Sequence, residues 1–190
     1  MRQQPFSEDA LIRQAQAGDR QAFAELVRQY ERRVLAVAFR IVEDADLARD
    51  VAQEVFIKLH AGLPGFHAKN RFFTWLYRIT VNASFDALRR EKRFQAQPLE
   101  GLVIAGEGAA DAPAQQAELA NVMDGLMARL SHPQRTALML KEVEGFNARE
   151  VAQIMGCAHG TVRSHLHSAR SRLRSWIEAE YPEWMEEMTL

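Results

Sequence analysis

Apolar residues recur along this chain at three- and four-residue intervals. No sustained alternation occurs, and no hairpin turn separates β-branched runs, so the pattern predicts helices and no strand. A short helix over Glu8 to Ala17 is capped by Ser7 and closed by Gly18. Asp19 caps a long second helix to about Val42, whose stripe is Phe23, Leu26, Val27, Tyr30, Val34, Val37 and Ile41. Glu43-Asp44 breaks it. A third helix runs from about Ala45 to His60, with Leu47, Val51, Val55 and Leu59 inward and Asp50, Gln53, Glu54 and Ile57 on another side. Gly62, Pro64 and Gly65 mark a loop carrying Phe66, His67, Lys69 and Asn70. A fourth helix runs from about Phe72 to Arg93.

The periodicity then stops. Residues 95–116 are dominated by Gly, Ala, Pro and acids, which predicts a flexible linker between a domain over 1–94 and a second over 117–190. The run from Leu99 to Ile104 is too apolar for a mere tether and is expected to dock on something. After the linker, Leu119, Val122, Met123, Leu126 and Leu130 line the inner face of a helix over Ala117–Leu130. Ser131 caps the next helix, which has Pro133 in its first turn, continues through Thr136 to Val143 and ends at Gly145.

The remaining stretch, Asn147 to Arg174, organises the rest. Asn147 and Glu150 form a capping-box pattern; Val151, Ile154 and Met155 make one apolar face, and Gly156 ends the helix in a left-handed turn. In the helix that follows, Val162, Leu166, Ala169 and Leu173 point inward while Arg163, His167, Arg170 and Arg174 share the outer side. No acid occurs between Val151 and Ile177, so this outer face is unneutralised. Helix, glycine turn and basic second helix make the helix-turn-helix pattern, whose second helix lies in the major groove of DNA. The plainer reading is a helical hairpin with solvated arginines.

Charge sharpens this. The net charge of the 190 residues is −1, which taken alone argues against a nucleic-acid partner. The charges are segregated, however: Phe94 to Ala128 has no basic residue, and the tail from Glu178 has five glutamates and none either. Basic residues gather at Arg89-Arg90-Glu91-Lys92-Arg93 and in the last long helix, which suggests two contacts on one polyanion. The fourth helix opens with Phe72, Phe73, Trp75 and Tyr77 and carries Arg78, Asn82, Asp86, Arg89 and Arg93 along one face. Aromatics beside a basic, hydrogen-bonding face suit unstacked bases and phosphates of a single strand. For Phe73, Leu76 and Ile79 core packing is the simpler reading; Trp75 stays open between core and platform. The single cysteine, Cys157, excludes an internal disulfide, suits a reducing compartment and reads as a small core residue. No apolar run fits a signal peptide or a membrane span, so a cytoplasmic protein without membrane insertion is expected.

Four blocks in order, AFAELVRQYERRVLAVAFRIV, DLARDVAQEVFIKLH, FFTWLYRITVN…DALRREKR and LSHPQRTALMLKEVEGFNAREVAQIMG…GTVRSHLHSARSRLR, cover nearly the whole chain. On these the chain resembles the extracytoplasmic-function (ECF) group of bacterial RNA polymerase sigma factors. The resemblance implies an all-α fold of two small helical domains, region 2 and a helix-turn-helix region 4, joined by the linker. It also implies core RNA polymerase, promoter DNA (an upstream duplex element and a melted non-template strand) and an anti-sigma factor as partners. Carried over by position, Asp50, Gln53, Glu54 and Ile57 match the polymerase contacts. The loop from Gly65 to Phe73 and the start of the fourth helix, with Phe73 and Trp75, match the element that captures a flipped base. Asn82, Asp86, Arg89 and Arg90 match the minus-ten face; Arg163, Ser164, His167, Ser168, Arg170 and Arg172 match the minus-thirty-five reading helix. The chain departs from the pattern at Ser168 and His165, where many members carry a basic residue. It departs again at Ala158-His159, where a capping or proline-containing turn is usual.

No catalytic residue, cofactor or metal is expected. His159, His165 and His167 are the nearest thing to a metal cluster, but residues two apart on a helix do not face each other. The alternative is a two-domain helix-turn-helix transcription regulator whose N-terminal domain senses a ligand or a partner. It has no need of an acidic polymerase-facing patch or an aromatic-rich basic helix. A nuclease would need converging carboxylates, which the pattern does not supply.

Overall fold

The computed structural model describes residues 8–67, 71–95, 122–182 and 184. The chain divides into two compact units, Met1–Val103 and Ile104–Leu190. The described residues are helical, without a strand.

The first unit holds α1 (Glu8–Gln16), α2 (Arg20–Val42), α3 (Ala45–Gly62), a one-turn 3-10 helix (Leu63–Gly65) and α4 (Phe72–Gln95). Local chemistry sets each boundary. The Asp19 carboxylate accepts the backbone N–H groups of Gln21 and Ala22 at 2.8 and 3.2 Å, satisfying donors that a helix start leaves open. Glu43 ends α2 in the left-handed region at φ 59°, and Asp44 caps α3 by accepting from Leu47 N–H at 2.7 Å. Two residues thus reverse the chain and bring α3 back along α2. Val34, Ala38, Val51, Val55, Leu59 and Leu76, all at most 1% exposed, form the centre of a core shared by α2, α3 and α4. Thr80 and Ser84, buried on α4, return their hydroxyls to the carbonyls of Leu76 and Thr80, each at 2.9 Å, so their burial leaves no unpaired donor.

In the second unit a helix over 122–128 (α5) leads to α6 (His132–Leu138), α7 (Ala148–Met155) and α8 (His159–Glu180). The sequence pattern extends a regular helix through Val143. Instead α6 stops at Leu138 and Met139–Val143 widens into a π-helical turn. That turn buries Met139 and Leu140 while leaving Val143 60% exposed, so the apolar run is too broad for one α-helical stripe. Smaller corrections are that α1 ends at Gln16, α3 continues to Gly62 and α4 to Gln95. Ser7, the loop residues Lys69 and Asn70, the linker 96–116 with its Leu99–Ile104 run, Leu119 and the tail's Glu183, Glu186 and Glu187 lie outside the described residues.

Candidate polymerase and nucleic-acid interfaces

Three faces carry the residues singled out by sequence. The first is the outer side of α3. Asp50 and Gln53 are exposed, and Ile57 is 64% exposed one turn on, a large apolar side chain with nothing over it. Glu54 is not the free member of a polar triad that the sequence suggests. Its carboxylate is half-buried, accepting from Lys58 at 2.6 Å and from Arg90 of α4 at 2.8 Å. The Lys58 hydrogen bond, followed by that of Arg90, holds the Glu54 carboxyl below the usual carboxylate range; the same contact raises Arg90.

The second face is α4. Its polar stripe is as the periodicity gives it: Arg78, Asn82, Arg89 and Arg93 are exposed, and Asp86 is half-buried and paired with Arg89. Arg90, which also matches the minus-ten face, is paired with Glu54. The aromatics divide. Tyr77 is 1% exposed and therefore belongs to the core, not to a stacking platform. Phe73 is half-buried, 4.3 Å from the Tyr77 ring, with the Arg33 guanidinium 5.5 Å above it, in keeping with the core reading. Trp75 is half-buried and stacked on Phe66, centroids 4.8 Å apart at 22°. Phe66, at the mouth of the loop, is itself buried and edge-on to Phe72 at 5.6 Å. Phe66, Phe72 and Trp75 pack on one another where α4 leaves the turn after α3.

The third face is α8, positioned by α7. The Asn147 side chain accepts from Arg149 and Glu150 N–H at 3.0 and 3.1 Å, and Glu150 accepts back from Asn147 N–H at 2.9 Å, closing the capping box. Gly156 sits at φ 64°, where a Cβ carries a steric cost, and its conformation turns the chain into α8. Ala158 occupies the N-cap of α8 and supplies no side-chain bond. Val162, Leu166, Ala169 and Leu173 are buried; Arg163, Ser164, His167, Arg170, Arg172 and Arg174 are exposed. Ser168 is half-buried beside the apolar stripe, as is His165, so neither lies fully on the outer face. Arg170 is paired with Glu142 of the π turn. Cys157 is half-buried and burial pushes its thiol up, which suits a packing role. Among the described residues no group of His, Cys, Asp and Glu is disposed to hold a metal ion, and no helix is long and apolar enough to cross a membrane.

Sequence reasoning missed Lys58, which shares Glu54 from one turn along the same helix, and Glu142, which holds Arg170 from another element. It also missed Arg129, which lies over Trp176 at 4.3 Å and pairs with Glu180 at 2.5 Å, tying the segment after α5 to the end of α8. Helical period alone announces contacts three or four residues apart, as for Lys58. The other two span 28 and 51 residues and need the fold.

Two family descriptions match the chain, Sigma-70 region 2 over residues 26–94 and Sigma-70, region 4 over residues 121–173. The RNA polymerase sigma-H factor of Pseudomonas aeruginosa is 35% identical over 174 residues, covering 86% of this chain and 90% of its own. The ECF RNA polymerase sigma factor SigW of Bacillus subtilis is 30% identical over 176 residues, covering 87% and 94%. Among solved structures, the sigma factor RpoE of Bartonella quintana, in complex with the anti-sigma factor NepR, superposes with a TM-score of 0.64 at 24% identity, over 83% of this chain and 98% of that one.

Proposed function

The chain belongs to the ECF group of RNA polymerase sigma factors, and from that membership we propose how its residues divide the work of promoter recognition. As a sigma factor it is a DNA-binding initiation factor that directs core RNA polymerase to promoters. The region 2 match over residues 26–94 does not favour the alternative of a regulator with a sensing N-terminal domain.

In this proposal the unit over 1–94 is region 2, residues 95–116 are the linker and 117–190 form region 4. The α3 face of Asp50, Gln53 and Ile57, with Glu54 at its edge, grips core polymerase. The observation that carries it is the exposed Ile57 flanked by polar side chains, on a helix whose opposite face is already satisfied by the core. Asn82, Asp86, Arg89 and Arg90 meet the melted minus-ten strand, with Phe73 and Trp75 shaping the entrance of α4. Melting costs about 1.4 kcal/mol per stacked step, and capture of bases at about 1–3 kcal/mol each offsets part of it. Arg163, Ser164 and His167 at the N-terminal part of α8 read base edges, while Arg170 and Arg172 lie toward phosphates; Ser168 is the least accessible of the set. The protein makes and breaks no bond; the chemistry is that of the polymerase, reached in the cytoplasm. The RpoE relative was solved with an anti-sigma factor, and we extend that form of control to this chain, relieved by stress or envelope signals.

The test is assembly. Purified chain and core polymerase are expected to co-elute, and Gln53→Ala with Glu54→Ala is expected to abolish co-elution while leaving helix content unchanged and costing no more stability than the loss of exposed ion pairs. Unaltered affinity in the double variant contradicts the α3 assignment.

A further inference from the structure

The side-chain amide of Gln16, near the end of α1, donates two hydrogen bonds across the first unit. One goes to the carbonyl of Leu63 at 3.0 Å, the other to the carbonyl of Phe66 at 2.7 Å. These carbonyls flank the 3-10 turn that joins α3 to the loop before α4. A primary amide has two donor hydrogens, and both are spent here, half-buried, on backbone acceptors 47 and 50 residues away. The turn's internal bond, Phe66 N–H to Leu63 O at 3.0 Å, converges on the same carbonyl. One side chain on another helix thus ties together both ends of this turn.

What Phe66 carries makes this consequential. Its ring lies under Trp75 and edge-on to Phe72, and a Cβ at Gly62 would stand 3.0 Å from the Trp75 indole, so turn, ring stack and start of α4 are one packed piece. A cleft of about 420 Å³ opens beside it, between Arg13 and Gln16 of α1 and Phe66, Arg71, Phe72 and Phe73. Helix α1 lies wholly outside the segment that matches region 2.

We infer that Gln16 is a positioning residue for promoter selectivity: it fixes the Phe66–Trp75 stack and the exit of the loop that meets the minus-ten strand, without touching core polymerase. The inference rests on the proposed role of that loop. A recognition element works only when its supporting residues hold it within about 0.5 Å of the productive geometry.

The experiment uses the full chain assembled with core polymerase and a set of promoters varied base by base through the minus-ten element. Gln16→Met keeps the shape and removes both donors. Core affinity and binding to the upstream element are expected to stay within about twofold, while open-complex formation on the best promoter falls about tenfold and the preference at one minus-ten position flattens. Gln16→Glu, which turns an acceptor toward two carbonyls, is expected to do worse, and Gln16→Lys, which restores donors, to recover part of the preference. The exposed loop variant His67→Ala with Arg71→Ala is the reference. If it flattens the preference and Gln16→Met only lowers the melting temperature, Gln16 is a structural brace and the inference is overturned. If neither variant alters base preference, the loop reading fails and the inference falls with it.

Discussion

Glu54 shows how a single side chain changes meaning between sequence and fold. In the sequence it is one of three polar residues on an outer face; in the structure it is shared by Lys58 and Arg90 and joins α3 to α4. Its lowered titration has a definite sign. The unfolded carboxyl titrates near about 4.3, so the stabilisation is fully present above that pH and is lost as pH falls through the lower folded value. Arg90→Gln is expected to move the Glu54 carboxyl back up toward the usual range, read by NMR titration, with no change at neutral pH in melting temperature beyond that of an exposed pair. On α8 the expectation is a contrast. Arg163→Ala should cost about 1–3 kcal/mol and relax preference at one upstream base, whereas Arg172→Ala should weaken all sequences alike and lower the salt slope by about one. Competition binding with single-base variants over a salt series separates the two. If both leave affinity and selectivity intact, α8 is not the reading helix.

At the scale of elements, caps and cores were legible and the contacts between elements were not. Asp19, Asn147 and Gly156 each act within four residues of their own position, and the sequence pattern places all three where the structure has them, whereas Asp44, read only as a break, proves to be the cap of α3. The stripes of α2, α3 and α8 follow from period alone, because each buries one face against one core. The π turn at Met139–Val143 was not legible: its residues look like ordinary helix formers, and the extra residue per turn is selected by packing that period does not report. The faces proposed for polymerase and DNA were visible as surfaces left over from core stripes, but the pairing of Arg90 with Glu54 and of Arg170 with Glu142 depends on which helices meet. The second pair gives a prediction of its own. Glu142→Gln frees Arg170 and removes a negative charge beside α8, so binding to the upstream element should strengthen by an amount on the order of 0.2–1 kcal/mol, the worth of an exposed ion pair. Weaker binding would mean that Glu142 holds Arg170 in its reading position. Asn147→Ala, which opens the capping box at the start of α7, should cost about 1 kcal/mol of stability in urea unfolding without altering the bases preferred.

For the whole molecule, the account depends on two units acting in one complex. Region 2 and region 4 are matched in order along the chain. The central claim is that the protein confers promoter choice on a polymerase that lacks it. The most direct measurement is transcription in vitro with purified chain, core polymerase and a fragment library of the native genome, reading the 5′ ends. The account predicts discrete start sites that appear only when both proteins are present and that share two sequence elements at a fixed spacing. Sequence-specific DNA binding by the chain alone, with no new start sites on adding core polymerase, would contradict it.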